Sequence, residues 1–232
     1  MATLKPIRLI TLDLDDTLWP CAPVIRQAEI AHHEWLRHRA ARLAEAHDVE
    51  SLRAHRREVM RTHPHLAHDF TAVRLRSLAL LLAQFGYPAR LADQATAVFR
   101  QARNRVTPYP EVGAVLRALR QDYWLVSVTN GNCQVEHTPL ADHFHLTLSA
   151  AETGAAKPDP ALFRHALART GVEPAQALHV GDDPELDVEA ARRVGMATAW
   201  VNRTNAPWPA ALAPPDHRLR ELGTLPDLLK GR

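Results

Sequence analysis

The chain has 232 residues, 46% of them hydrophobic, a formal net charge of +2 and two cysteines. That length suffices for one sizeable α/β domain or a domain carrying an insertion, and near charge balance with scattered basic residues excludes a nucleic-acid footprint. No apolar run approaches ~20 residues, the N-terminus lacks a signal-peptide pattern, and Cys21 and Cys133 lie far apart outside any CxxC spacing. A cytoplasmic protein is therefore expected, with no membrane, disulfide framework or thiolate metal site.

The first predicted element is "IRLITL" (7–12), short, apolar and rich in β-branched residues, a strand buried on both faces. It runs into "LDLDDTLWP", which sets Asp13, Asp15 and Asp16 at its carboxyl end. Crowded carboxylates repel one another unless a cation or a shared proton compensates, so this strand end is a candidate site.

From Val24 to about Arg105 apolar residues recur three and four apart, which predicts four or so helices. Breaks are expected near Asp48, at "THPH" (62–65) and at "FGYP" (85–88). Asp69 is a plausible N-cap for the helix that carries Arg74 and Arg76. His32, His33, His63, His65 and His68 cluster here, at spacings that fit no standard metal-ligand set.

From Pro108 the texture alternates: helix "PEVGAVLRALRQ", strands "YWLVSV" and "HLTLS", helix "PALFRHALARTG", strand "ALHVG", helix "PELDVEAARRVG", strand "ATAWV". Alternation of this kind predicts a parallel sheet with right-handed crossovers, to which the first strand also belongs. Residues 1–18 and 107–232 then form an α/β core, and 19–106 an inserted all-helical domain.

Ligands of such a sheet sit beyond the carboxyl ends of the strands. After "YWLVSV" comes "TNGN", where Thr129 offers a hydroxyl and Asn130 with Gly131 a tight turn of N–H groups suited to phosphoryl oxygens; alone, Asn-Gly is also an ordinary turn. Lysine occurs at positions 5, 157 and 230, and arginine fills nearly every other basic position. Lys157 stands just ahead of a helix N-terminus, where the dipole does not favour a cation. It reads as partner to an anionic ligand or as a solvated loop lysine. After "ALHV", "GDDPELD" supplies Asp182, Asp183 and Asp187, of which Asp183 could cap the helix beginning at Pro184.

Taken together, "DLDDT", "TNG", the lysine of "AKPDP" and "GDDPELD" resemble, in order and spacing, the four motifs of the haloacid dehalogenase-like hydrolase superfamily. The helical insertion looks like its C1-type cap. The resemblance implies a Rossmann-like, doubly wound parallel-sheet core with an inserted all-helical cap. It further implies a phosphatase in which Asp13 attacks phosphorus to form an aspartyl-phosphate and Asp15 serves as general acid and base. Mg²⁺ would be held by Asp13, the backbone carbonyl of Asp15 and Asp182, with Asp183 assisting. All these ligands are oxygens, and none of the fourteen histidines lies in the four motifs. Thr129, Asn130 and Lys157 would bind the phosphoryl group and Asp187 would orient Lys157, while Asp16 and Thr17 serve the turn. Dehalogenases of the family lack the second carboxylate of the first motif, so Asp15 implies phosphoryl chemistry. The motifs do not separate hydrolase from mutase, and a catalytically idle binding protein on this fold is the alternative of another class.

"LDLDDTLW", "HDFTAVRLRSL" and "LHVGDDPELDVEAARRVGM" also look like bacterial phosphatases acting on FMN and on 5-amino-6-(5-phospho-D-ribitylamino)uracil. Sugar-phosphate and nucleotide phosphatases are the nearest alternatives. In this reading His68 and one of Arg74 and Arg76 contact the organic part of the substrate. Residues two apart on a helix point about 200° apart, so one arginine at most faces it.

Overall fold

β1 (Leu9–Leu12) opens the described part of the chain, and all four of its residues are buried. The structure is a computed structural model describing residues 6–230, so Lys5 lies outside the described residues. Helices follow: α1 (Cys21–Arg39), α2 (Ala41–Ala46), α3 (Val49–Thr62), α4 (Phe70–Gln84) and α5 (Arg90–Arg103). The alternating part comprises α6 (Val112–Leu119), β2 (Trp124–Thr129), β3 (Leu146–Ser149), α7 (Ala150–Thr153), α8 (Ala161–Thr170) and β4 (Ala177–Gly181). It ends in a π-helical turn (Pro184–Glu189), α9 (Ala190–Arg193), β5 (Ala197–Val201), β6 (His217–Leu219) and α10 (Leu225–Lys230).

Among the described residues six strands form one sheet in the order β3-β2-β1-β4-β5-β6, every neighbouring pair parallel. β1 lies between β2 and β4, and the chain winds outward from it in both directions. Adjacent carboxyl ends at such a reversal of strand order make a crevice for ligands. Leu12 pairs with Ser127 and with Val180, so the residues that follow each strand emerge side by side. Phe163, Leu162 and Ala166 of α8 and Ala190 and Ala191 of α9 pack on Val126, Val128 and Ala177 in one core cluster.

The described residues divide into two compact units. One takes residues up to Pro20, Thr107–Gly131 and Pro139 onward; the other takes Cys21–Val106 and Asn132–Thr138. The short segment 132–138, expected in the α/β part, is tied to the helical unit instead. Asn104 Oδ1 accepts from the Gln134 N–H at 2.9 Å, and Asn132 Nδ2 donates to Thr71 Oγ1 at 3.3 Å. Leu36, Leu43, Leu52, Leu78, Leu81, Leu82 and Leu91 fill the core of the helical unit. Asp69 accepts from the N–H groups of Thr71 and Ala72, each at 2.9 Å, and starts α4 as expected. Among the described residues no helix is long and apolar enough to cross a membrane.

Candidate active site

Lys157 organises the crevice at the head of β1. Its Nζ donates to Asp13 Oδ1 at 2.6 Å, to Asp187 Oδ1 at 2.6 Å and to the Val128 carbonyl at 3.0 Å, one acceptor for each ammonium proton. Burial alone would favour the neutral amine, and the charges of Asp13 and Asp187 reverse this and hold the ammonium above its ordinary range. Three acceptors converging on one buried nitrogen explain a lysine in an arginine-biased chain, since a guanidinium spreads its donors over a wide fork.

Asp187 is the hub behind Lys157. Burial works against its charge, but the Lys157 ammonium and the His179 hydrogen bond outweigh this and hold it below the usual carboxylate range. Oδ1 accepts from Lys157 and from His179 Nε2 at 3.2 Å, and Oδ2 accepts from the Asp183 N–H at 3.0 Å. An ionised carboxylate only accepts, so His179 carries its proton on Nε2, and Nδ1 accepts from Thr11 Oγ1 at 2.8 Å. Burial keeps that imidazole neutral. Gly181 is required here, because a Cβ at that position would stand 2.3 Å from Asp187 Cγ.

Asp13 continues β1, its N–H bonded to the Val180 carbonyl at 2.9 Å. Burial pushes its carboxyl well above the usual range; Lys157 opposes, while Asp187 and Asp182 add. Asp182 is pushed up to about 7, first by burial and then by Asp187, with Asp16 and Asp183 contributing. Among the described residues the carboxylate oxygens of Asp13, Asp182 and Asp187 come within 4.8 Å of one another. Because Asp187 already accepts three hydrogen bonds, the pair able to hold a cation is Asp13 and Asp182. An all-oxygen donor set carrying surplus negative charge fits a hard divalent ion.

The segment after β1 is a tight turn. Asp16 adopts a left-handed conformation with φ 61°, its N–H donates to the Trp19 carbonyl at 2.7 Å, and the Trp19 indole donates to Asp15 Oδ1 at 2.9 Å. Thr17, expected to serve the turn alone, also donates its hydroxyl to Asp182 Oδ1 at 3.0 Å. The Trp200 indole fixes the Asp182 carbonyl at 2.6 Å. Arg203 bonds the Thr17 carbonyl at 3.0 Å and Glu111 at 2.7 Å, with its guanidinium 3.6 Å from the centre of the Tyr109 ring.

Several expected roles are corrected. The Asn130 side chain is used within the protein, Nδ2 donating to the Lys157 carbonyl at 2.8 Å and Oδ1 accepting from the Lys157 N–H at 2.7 Å, whereas the expectation for Asn130 rested on the backbone N–H groups of its turn. The amide clamps the lysine's backbone, next to a cis Lys157–Pro158 bond. The Gly131 N–H is taken by Thr129 Oγ1 at 2.9 Å, which leaves the buried Thr129 hydroxyl its own proton to donate. Asp183, expected to assist the metal, stands outside the converging carboxylates; its Oδ1 caps the turn at Glu185 and Leu186, both at 2.8 Å. Arg74 in the helical unit is 5% exposed, paired with Glu29 at 2.8 Å and stacked 3.4 Å from the centre of the Phe99 ring. That side chain is internal structure, neither a solvated arginine nor a substrate contact. His68 is half-buried and Arg76 exposed. Trp19, His179 and Thr11 were not anticipated; a histidine inside the apolar run "ALHVG" was the available signal for one of them.

Residues 7–195 match the model of the haloacid dehalogenase-like hydrolases, and the chain belongs to that family. It is 33% identical over 218 residues, 90% of either chain, to the 5-amino-6-(5-phospho-D-ribitylamino)uracil phosphatase YigB of Escherichia coli. It is 41% identical to a phosphoserine phosphatase of Thermus thermophilus over 143 residues, 59% of this chain and 57% of that one. A crystal structure described as a 2-haloacid dehalogenase from Pseudomonas syringae pv. Tomato aligns with TM-score 0.91 and 38% identity over 97% of this chain and 99% of that chain. Family membership and the named phosphatase relatives define a phosphatase-type hydrolase.

Proposed function

We propose that this hydrolase is a Mg²⁺-dependent phosphomonoesterase acting through an aspartyl-phosphate at Asp13, with a ribityl phosphate such as FMN or 5-amino-6-(5-phospho-D-ribitylamino)uracil as substrate. The observation that carries the reading is the Lys157 ammonium 2.6 Å from Asp13 Oδ1 at the end of β1. It orients the carboxylate and brings positive charge to where the phosphoryl oxygens gather during transfer. Asp13 attacks phosphorus through its other oxygen. Asp15 protonates the leaving alkoxide, then takes a proton from the water that cleaves the acyl phosphate. The Thr129 hydroxyl donates to a phosphoryl oxygen. Asp13, Asp182 and the Asp15 backbone carbonyl would hold the Mg²⁺, whose charge neutralises the phosphoryl group.

In this proposal the α/β unit performs the chemistry, and the helical unit, residues 21–106 with 132–138, selects the substrate through positions such as Arg76 and His68. The similarity to YigB supports the ribityl phosphate. Sugar phosphates and nucleotides are the neighbouring classes, and transfer to a second hydroxyl rather than water would make a mutase. The Pseudomonas syringae relative favours a second reading, cleavage of a carbon–halogen bond by Asp13. Phosphate release over a metabolite panel that includes FMN, run beside halide release from 2-haloacids, tests both. Phosphate release that requires Mg²⁺ and is lost in Asp13→Asn supports the proposal; halide release alone overturns it.

A further inference from the structure

The Trp19 indole is fully buried, and its Nε1 donates to Asp15 Oδ1 at 2.9 Å. We infer that Trp19 is a positioning residue for the acid–base step: its buried N–H holds the Asp15 carboxyl by Oδ1 and so fixes the orientation of that carboxyl at the head of β1. The inference rests on the acid–base role proposed above for Asp15.

An indole nitrogen donates and never accepts, and a carboxyl oxygen accepts from it whether or not the group carries a proton. The bond to Oδ1 therefore holds the Asp15 carboxyl in one orientation through both halves of the proposed reaction, in which Asp15 gives a proton to the leaving alkoxide and later receives one from water.

The indole is itself fixed. Asp16 N–H on the Trp19 carbonyl at 2.7 Å, Leu18 N–H on the Leu14 carbonyl at 2.7 Å, and the left-handed Asp16 close the turn. Arg203 braces it from outside through the Thr17 carbonyl. A Phe at position 19 would fill most of the same space without a donor. Buried indoles usually find a hydrogen-bond partner, and here that partner is the carboxyl of the proposed acid.

The test compares Trp19→Phe, Asp15→Asn and the unchanged protein on alkyl phosphates such as FMN and on p-nitrophenyl phosphate, whose leaving group needs no proton. Trp19→Phe should lower kcat on alkyl phosphates about tenfold, part of the 10²–10⁴ that general acid catalysis contributes. KM should hold, and p-nitrophenyl phosphate turnover should change less than about twofold. Asp15→Asn should show the same selectivity, deeper. An equal loss on both substrate types in Trp19→Phe, with Asp15→Asn still selective, overturns the inference alone. An equal loss in Asp15→Asn removes the acid role and the inference with it. If Trp19→Phe does not fold, site-specific 3-benzothienylalanine at position 19 replaces N–H by sulfur at nearly constant shape and carries the same expectation.

Discussion

Lys157, itself only 4% exposed, meets three acceptors within 3.0 Å of one nitrogen. A planar guanidinium does not place donors on Asp13, Asp187 and the Val128 carbonyl from that position. Lys157→Arg is expected to lower kcat/KM by about 10²-fold or more through loss of orientation at Asp13, while Asp13→Asn, lacking a nucleophile, abolishes turnover and leaves the fold intact. Phosphate release by the purified variants, with circular dichroism as the fold control, checks both; Lys157→Arg within about threefold of the parent would show that any cation suffices. Lys157 was legible because its chemistry broke the chain's own bias toward arginine. The side-chain partner of Asn130 needed the structure: the sequence shows a side chain's donors and acceptors but not which backbone groups stand opposite. Asn130 meets the main chain 27 positions away, while Asp183 caps its own helix, a role its place before Pro184 had already offered.

At the scale of elements, strands and turns locate the site more firmly than helices do. β4 and β5 match the runs "ALHVG" and "ATAWV" end for end, since both are apolar, short and bounded by turn residues. β6 escaped notice because three residues reading His-Arg-Leu carry no period. The helical stretch holds five α-helices where four or so were expected, because the interruption at Ala40 between α1 and α2 has no Pro, Gly or capping side chain to announce it. Gly181 ends β4 against Asp187, so Gly181→Ala forces the carboxylate off Lys157 and the Asp183 N–H. The expected outcome is a stability loss of about 1–3 kcal/mol from overpacking, seen in denaturant unfolding, together with a fall in kcat. Unchanged kinetics in a folded Gly181→Ala protein would place Asp187 outside the working site. In the helical unit, Asp69→Ala removes two N-cap hydrogen bonds and should cost about 1 kcal/mol; an unchanged unfolding midpoint would refute that.

Over the whole molecule the net charge is +2, yet the crevice concentrates Asp13, Asp182 and Asp187 around a single lysine. The consequence is a pH-dependent demand for a cation. The Asp182 pKa is pushed up to about 7 in the folded protein, against about 3.9 in an unfolded chain. The metal-free folded state therefore binds more protons than the unfolded state across that interval, and its stability falls as pH rises from about 4 to about 7. Asp187, whose pKa is depressed, acts in the opposite sense: its contribution is present above about 4 and is lost as pH falls below that. Between them, the chelated protein should be most stable on the mildly acidic side of neutrality. A divalent ion at Asp13 and Asp182 competes with the Asp182 proton, so it binds more tightly once that proton has left. Saturating Mg²⁺ should thus raise Tm more at pH 8 than at pH 5.5, and Asp182→Asn should abolish the difference. Scanning calorimetry with Mg²⁺ and with a chelator at both pH values measures this. A Tm increment that is the same at the two pH values would mean that Asp182 neither holds the ion nor carries the proton assigned to it.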